Sequence, residues 1–98
     1  MNSLQAQTKL QTAYAAAGGV GALPWDKIIE IVMKIVSACG LMNTKTTAEN
    51  APLVARLIVA RKLKEELPSV KLNQRLIAAQ VGVDFVAKTS VSALKGIE

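Results

Sequence analysis

Residues 24–39 have the sequence PWDKIIEIVMKIVSAC, the most regular stretch in this chain of 98 residues. Its apolar positions recur at spacings of three and four, which is typical of an amphipathic α-helix with one buried face. The apolar stripe consists of Trp25, Ile28, Ile29, Val32, Ile35, Val36 and Cys39, and the polar face of Asp26, Lys27, Glu30, Lys34 and Ser37. Pro24 suits the first turn of a helix and Gly40 suits its end. We therefore expect this helix to organise the core.

Helical patterns also precede and follow this stretch. We predict a first helix over 2–17, a third from about 51 to Glu66, a fourth from Asn73 to Gly82 and a fifth from Asp84 to Gly96. The apolar side of the third helix is expected to consist of Leu53, Val54, Leu57, Ile58 and Leu63. Strand-like alternation is absent apart from an ambiguous Ser-Val-Lys-Leu at 69–72. The fold class is therefore all-α, a small bundle of four to five helices.

A glycine-rich tract, Gly-Gly-Val-Gly at 18–21, follows the first helix. Glycine inside a helix costs about 1 kcal/mol relative to alanine, so this tract ends the helix as a joint or a tight turn. We predict an N-terminal helical arm with its joint at 1–21 and a helical core domain at 22–98. The alternative is a compact monomer in which the first helix folds back and closes the core.

The chain contains no histidine and a single cysteine, Cys39. This composition removes the commonest general base and the commonest metal ligand, and one thiol cannot form an internal disulfide. Cys39 lies on the apolar stripe, where a thiol is usually buried and unreactive. The carboxylate pairs Asp26/Glu30 and Glu65/Glu66 resemble solvated helix surfaces. We therefore expect no enzyme, no catalytic, cofactor or metal site, and no small-molecule substrate.

The net charge of +5 lies mostly in the second half of the chain. Residues 1–50 carry four cations and three anions, a net +1, whereas residues 51–98 carry eight cations and four anions, a net +4. A basic half can meet nucleic acid, an anionic membrane or an acidic protein, or simply keep the protein soluble. The longest uncharged stretch, 10–25, is broken by glycines and Pro24, so no membrane span is expected. No secretion signal is evident, and we expect the protein in the cytoplasm or within an assembled particle.

The aliphatic stripes of the second and third helices exceed what an alanine-rich arm and two short helices could cover. An uncovered apolar stripe usually marks an interface. The interface residues predicted on this basis are Leu4, Leu10, Tyr14, Trp25, Ile28, Val32 and Ile35. The sequence therefore favours a non-enzymatic structural or assembly protein. It would pack with itself as a homo-oligomer or within a larger complex, for example an assembly of the virion type.

The segment 75–84, RLIAAQVGVD, resembles the first helix and turn of a helix-turn-helix motif. Ala78 would let two helices approach, Gly82 would form the turn and Val83 would enter the core. The second half departs from the motif, which wants an apolar residue where this chain has Lys88. The resemblance implies an alternative function, a small basic DNA-binding protein using a degenerate motif at 75–95. Its predicted phosphate contacts are Arg56, Arg61, Lys62, Lys64, Arg75, Lys88 and Lys95.

Overall fold

The described residues of the chain, 2–38, 51–89 and 91–97 in a computed structural model, form five helices. These are α1 (Ser3–Ala16), α2 (Trp25–Ala38), α3 (Ala51–Glu66), α4 (Leu72–Lys88) and α5 (Val91–Lys95). No strand occurs within these ranges, and the prediction of a small all-α bundle is confirmed. The predictions made for Cys39 and Gly40 fall outside the described residues.

The helix α2 lies at the centre of the bundle, in contact with α1, α3 and α4. Its buried side chains are Trp25, Ile28, Ile29, Ile31, Val32 and Val36. All five residues of its predicted polar face are exposed. One face of α2 is aliphatic and the opposite face is charged. The helix can therefore remove its apolar surface from water in only one orientation. The predicted role of α2 as core organiser is consistent with this burial.

The helix α1 packs against α2 and α4 instead of extending from the bundle. Ala6, Leu10 and Tyr14 follow one another at intervals of four and are all buried. A capping box starts the helix, because the Asn2 side chain accepts from the Gln5 N–H and the Gln5 side chain accepts from the Asn2 N–H. The single chain therefore has the folded-back arrangement that the sequence left open as the alternative to an arm.

The glycine-rich tract forms a tight turn bonded to the rest of the bundle. Gly18 has a φ of +89°, and the N–H of Gly19 donates to the carbonyl of Tyr14 at 2.8 Å, as in a helix that ends at glycine. A Cβ on Gly19 would lie 2.4 Å from ring atoms of Tyr14. The carbonyl of Val20 accepts from the Tyr14 hydroxyl at 3.0 Å and from the Gln74 amide at 2.9 Å. These contacts hold the turn against both α1 and α4.

The helix α4 continues without interruption through Gly82, so the predicted break there is wrong. Gly82 has helical backbone angles and lies against α2, where a Cβ would be 2.9 Å from Cγ2 of Val32. This glycine therefore allows close approach of two helices and does not form a turn. The predicted start at Asn73 and the predicted cap at Asp84 are wrong as well, because both residues lie inside α4. A turn at Gly82 was the centre of the helix-turn-helix resemblance, and it is absent.

The helix α3 is rotated relative to its predicted orientation. Its fully buried side chains are Ala55, Val59 and Leu63, of which only Leu63 belonged to the predicted apolar side. The other four members of that side, Leu53, Val54, Leu57 and Ile58, are exposed. All residues in the first half of this helix except Arg56 are apolar, so the periodicity of the sequence could not show which face is buried. The smaller residues face inward, where they allow α3 to lie close to α2 and α4.

Truncation of the α2 stripe should destabilise the fold. We expect Ile29→Ala to lower the free energy of unfolding by about 2–4 kcal/mol and Val32→Ala by somewhat less, because each change leaves a cavity in a packed core. Ile29 is 4% exposed and Val32 is 1% exposed. Chemical denaturation measures both values, with the exposed Lys27→Ala as control. Midpoints like that of the wild type would contradict the burial of this stripe.

Substitution of Gly82 should depend on the residue at position 32. In the wild type, Gly82→Ala gains about 1 kcal/mol of helix propensity but overlaps Val32, and overpacking of this kind costs about 1–3 kcal/mol. We expect a net loss of stability.

In a Val32→Ala background the overlapping methyl groups are gone, so Gly82→Ala should become neutral or stabilising. A double-mutant cycle by chemical denaturation should therefore give a coupling of about 1 kcal/mol or more. Equal effects in the two backgrounds would show that Gly82 does not determine the approach of α2 and α4.

Candidate protein-interaction surface

Four large aliphatic side chains are exposed together on the first half of α3. They are Leu53 (54% exposed), Val54 (48%), Leu57 (69%) and Ile58 (42%), and they are named here the outer face of α3. Leu53 and Leu57 are four residues apart, as are Val54 and Ile58, so they form two adjacent rows along the helix. Single exposed aliphatic residues are common on soluble proteins, but a contiguous group is typical of an interaction site.

The outer face lies opposite the side of α3 that packs into the core. Ala55 and Val59 are fully buried, and they alternate along the helix with the exposed rows. A helix on the surface of a globular protein normally carries polar residues on the side opposite the core. The first half of α3 instead carries aliphatic residues on both sides, which a purely structural role in this bundle does not require.

Basic residues continue the outer face toward the end of α3. Arg61 follows Leu57 by one turn, Lys64 follows Arg61 by another, and both are exposed. Neither has an ion-pair partner among the residues that the structure describes. Lys62, by contrast, has its Nζ 3.7 Å from a carboxylate oxygen of Glu65 and 4.0 Å from one of Glu66. Among the described residues, the cations on this side of α3 therefore form no ion pair within 4.0 Å, although Glu65 follows Arg61 by one turn.

An ion pair joins the first half of α3 to the second half of α4. A guanidinium nitrogen of Arg56 lies 2.5 Å from a carboxylate oxygen of Asp84. The two side chains are 30% and 35% exposed, so the pair is partly shielded from water. Because the ion pair ties Arg56 to a neighbouring helix, a rotation of α3 about its own axis would break it. It therefore helps to keep Leu57 directed outward.

The seven predicted phosphate contacts differ in availability. Arg56 is engaged by Asp84, Lys62 lies beside two glutamates, and Arg75 is half-buried, with a buried Nε that has no hydrogen-bond partner in the described part of the chain. The exposed members that form no ion pair among the described residues are Arg61 and Lys64 on α3, Lys88 at the end of α4 and Lys95 at the end of α5.

Most of the predicted interface residues are buried within the single chain. Leu10, Tyr14, Trp25, Ile28 and Val32 are at most 3% exposed. The rings of Tyr14 and Trp25 pack edge to face, with their centroids 5.5 Å apart. Such packing stabilises the bundle and leaves no ring surface for a partner.

Only Leu4 and Ile35 of the predicted interface set remain accessible. Leu4 is 72% exposed on α1, and Ile35 is half-buried in a groove between α2 and α3 that Ile31, Leu67 and several charged residues line. The outer face of α3 was not in the set, although its residues had been identified as apolar. The signal that could have indicated it is that every residue of 53–59 except Arg56 is aliphatic.

Comparisons with protein-family models, with curated proteins and with solved structures gave no match for this chain. Within the described residues, none of the helices has the length and apolar character that crossing a bilayer requires.

Truncations on the two sides of α3 should have different effects. We expect Leu63→Ala to cost about 2–5 kcal/mol of stability because Leu63 is fully buried. Leu57→Ala should change stability by less than about 0.5 kcal/mol, since this side chain is largely in water. Urea denaturation of the two variants provides the comparison. A large loss in Leu57→Ala would mean that the outer face is covered within the chain.

Proposed function

We propose that this chain is a non-enzymatic structural or assembly protein, a small helical module that contacts other protein through the outer face of α3. The observation that carries the proposal is the contiguous exposure of Leu53, Val54, Leu57 and Ile58 on one helix. Exposed aliphatic surface is unfavourable in water by roughly 25 cal/mol per Å², and a partner that covers it recovers this free energy. The partner is a further copy of the chain or a component of a larger complex.

The proposed contact differs from the one expected from the sequence. The helix α1 already covers the core with Leu10 and Tyr14, so removal of residues 1–19 should unfold the protein and would not test association alone. The outer face, in contrast, can be altered without opening the core. The module would therefore present a preformed surface, a mode in which the interface backbone usually moves little. Such a role suits a protein of the cytoplasm or of an assembled particle, including a virion-type assembly.

Nucleic-acid binding is the second candidate. The exposed Arg61, Lys64, Lys88 and Lys95 support it, together with the net charge of +4 in residues 51–98. Because α4 is continuous at Gly82, binding would involve phosphates without a helix-turn-helix. Affinity for generic duplex DNA would then fall steeply as salt rises. Two results together would favour nucleic-acid binding over the assembly role. The chain would bind duplex DNA tightly and in this salt-dependent manner, and Leu57→Gln would have no effect on any protein complex.

The native mass of the protein tests the assembly role. In extracts of cells that naturally produce it, we expect the wild type to elute well above the 10.4 kDa of one chain. The variant Leu57→Gln should elute near the mass of the single chain, because a buried amide without a partner weakens an apolar contact. Light scattering of the purified protein over a range of concentrations shows whether the chain associates with itself.

A matched control for this measurement is Leu76→Gln. Leu76 is 48% exposed on α4 and lies outside the outer face of α3. This variant should elute with the wild type, and circular dichroism should show equal helix content in all three proteins. Elution of the wild type as a monomer in both extract and purified form would refute the assembly role.

A further inference from the structure

The side of α3 that carries the outer face changes from aliphatic to basic along the helix. Its first two turns are aliphatic, and its last two turns carry Arg61 and Lys64 on the same side. From Leu53 to Lys64 the stripe covers twelve residues, which are eleven steps of about 1.5 Å, or about 17 Å. A surface of this length matches about three turns of one partner helix laid along it. The charge at one end also defines the direction in which such a helix would bind.

We propose that the outer face of α3 binds an amphipathic helix of another protein whose aliphatic stripe begins with Asp or Glu in its first turn. The proposal rests on the assembly role and specifies the partner. The aliphatic stripe of that helix would cover Leu53, Leu57 and Ile58, and its carboxylates would meet Arg61 and Lys64. This arrangement is the helix-on-helix recognition mode in which side chains at intervals of three and four provide the anchors.

The free cations on α3 are the evidence for acidic residues in the partner. Lys62 already has Glu65 and Glu66 within 4.0 Å, whereas Arg61 and Lys64 have no carboxylate partner in the part of the chain that the structure describes. A partner lying antiparallel to α3 would place its N-terminal turn beside these two cations. Carboxylates are also favourable in the first turn of a helix because of the helix dipole. Pairing with the cations of α3 and the dipole of the partner helix both favour the antiparallel orientation.

A second copy of the chain fits this surface less well. An antiparallel pair of α3 helices that stacks residues 53–58 of one copy on 58–53 of the other would direct Arg61 and Lys64 toward positions 50 and 47 of the facing chain. Residues 45–54 of that chain carry one anion, Glu49, and one cation, Lys45, so this stretch offers no net negative charge to the two cations. A parallel pair would place Arg61 and Lys64 beside their own counterparts. Each copy also carries a net charge of +5. Like charges across an interface are unfavourable, so charge complementarity favours an acidic partner.

Two synthetic helical peptides test the proposal against the full chain. Both have the same aliphatic stripe and a length of about 14 residues, slightly more than the outer face spans. One carries Glu in its first turn and the other carries Lys at the same positions. Fluorescence anisotropy of the labelled peptides should show at least about tenfold tighter binding of the acidic peptide, an advantage that falls as salt is added.

Variants of the chain identify the surface. Leu57→Gln should abolish binding of the acidic peptide, and the double variant Arg61→Glu/Lys64→Glu should reverse the preference in favour of the basic peptide. The controls Leu76→Gln and Lys95→Glu change exposed residues elsewhere and should bind like the wild type. Thermal midpoints of Leu57→Gln and of the two controls should lie within about 3 °C of the wild type, as expected for substitutions in water. The double variant places acids beside Glu65 and Glu66 at the end of α3, which lowers its midpoint further, so circular dichroism must show that it is folded at the assay temperature.

Each other outcome overturns the acidic-helix proposal. Equal binding of the two peptides would mean that charge takes no part, and absence of binding would exclude a helix of this kind. A large fall in the thermal midpoint of Leu57→Gln would mean that the chain itself covers the surface. Dimerisation of the purified chain that Leu57→Gln abolishes would identify a second copy as the occupant. In the last case the assembly role survives, and it fails separately if the wild type elutes as a monomer in cell extracts.

Discussion

The contact between Gly82 of α4 and Val32 of α2 is the constraint on which the arrangement of the bundle depends. A Cβ at position 82 would lie 2.9 Å from Cγ2 of Val32, so the two helices approach as closely as they do only because position 82 has no side chain. Glycine weakens α4 by about 1 kcal/mol relative to alanine, and the denser packing of two buried helices offsets this loss. Both α1 and α3 contact α2 and α4 together, so their positions follow from this approach.

The close approach of α2 and α4 also accounts for the unusual use of α3. The side of α3 that faces the pair consists of Ala55, Val59 and Leu63, a mostly small set that fits against closely spaced helices. The larger aliphatic residues of its first half are consequently directed outward. The ion pair of Arg56 with Asp84 opposes a rotation that would bury them. The exposed aliphatic face proposed as an interaction surface thus results from the same packing that forms the core.

The buried face of a helix was predictable from the sequence where its two faces differ clearly in polarity. The orientation of α2 was predicted for five of its six buried residues because a charged face opposes its aliphatic stripe. Ile31 is buried although it was not assigned to the stripe, and Ile35 is half-buried. The orientation of α3 was not, because every residue of 53–59 except Arg56 is aliphatic, and the periodicity does not show which of these residues face α2 and α4. Gly82 was misassigned for a similar reason, since a glycine serves equally in a turn or in a close helix contact. The predicted interface set included Trp25 and Ile28 because the sequence did not show that α1 would cover them.

The size of the outer face limits the complex that it can form. Four partly exposed side chains provide a few hundred Å² of apolar surface, comparable to the largest patch on many monomers. A stable interface usually buries about 800 Å² on each partner. Contact through α3 alone would therefore suit reversible association, in which Arg61 and Lys64 would accelerate encounter and set orientation more than they would add affinity. A permanent complex would have to recruit further surface beyond α3.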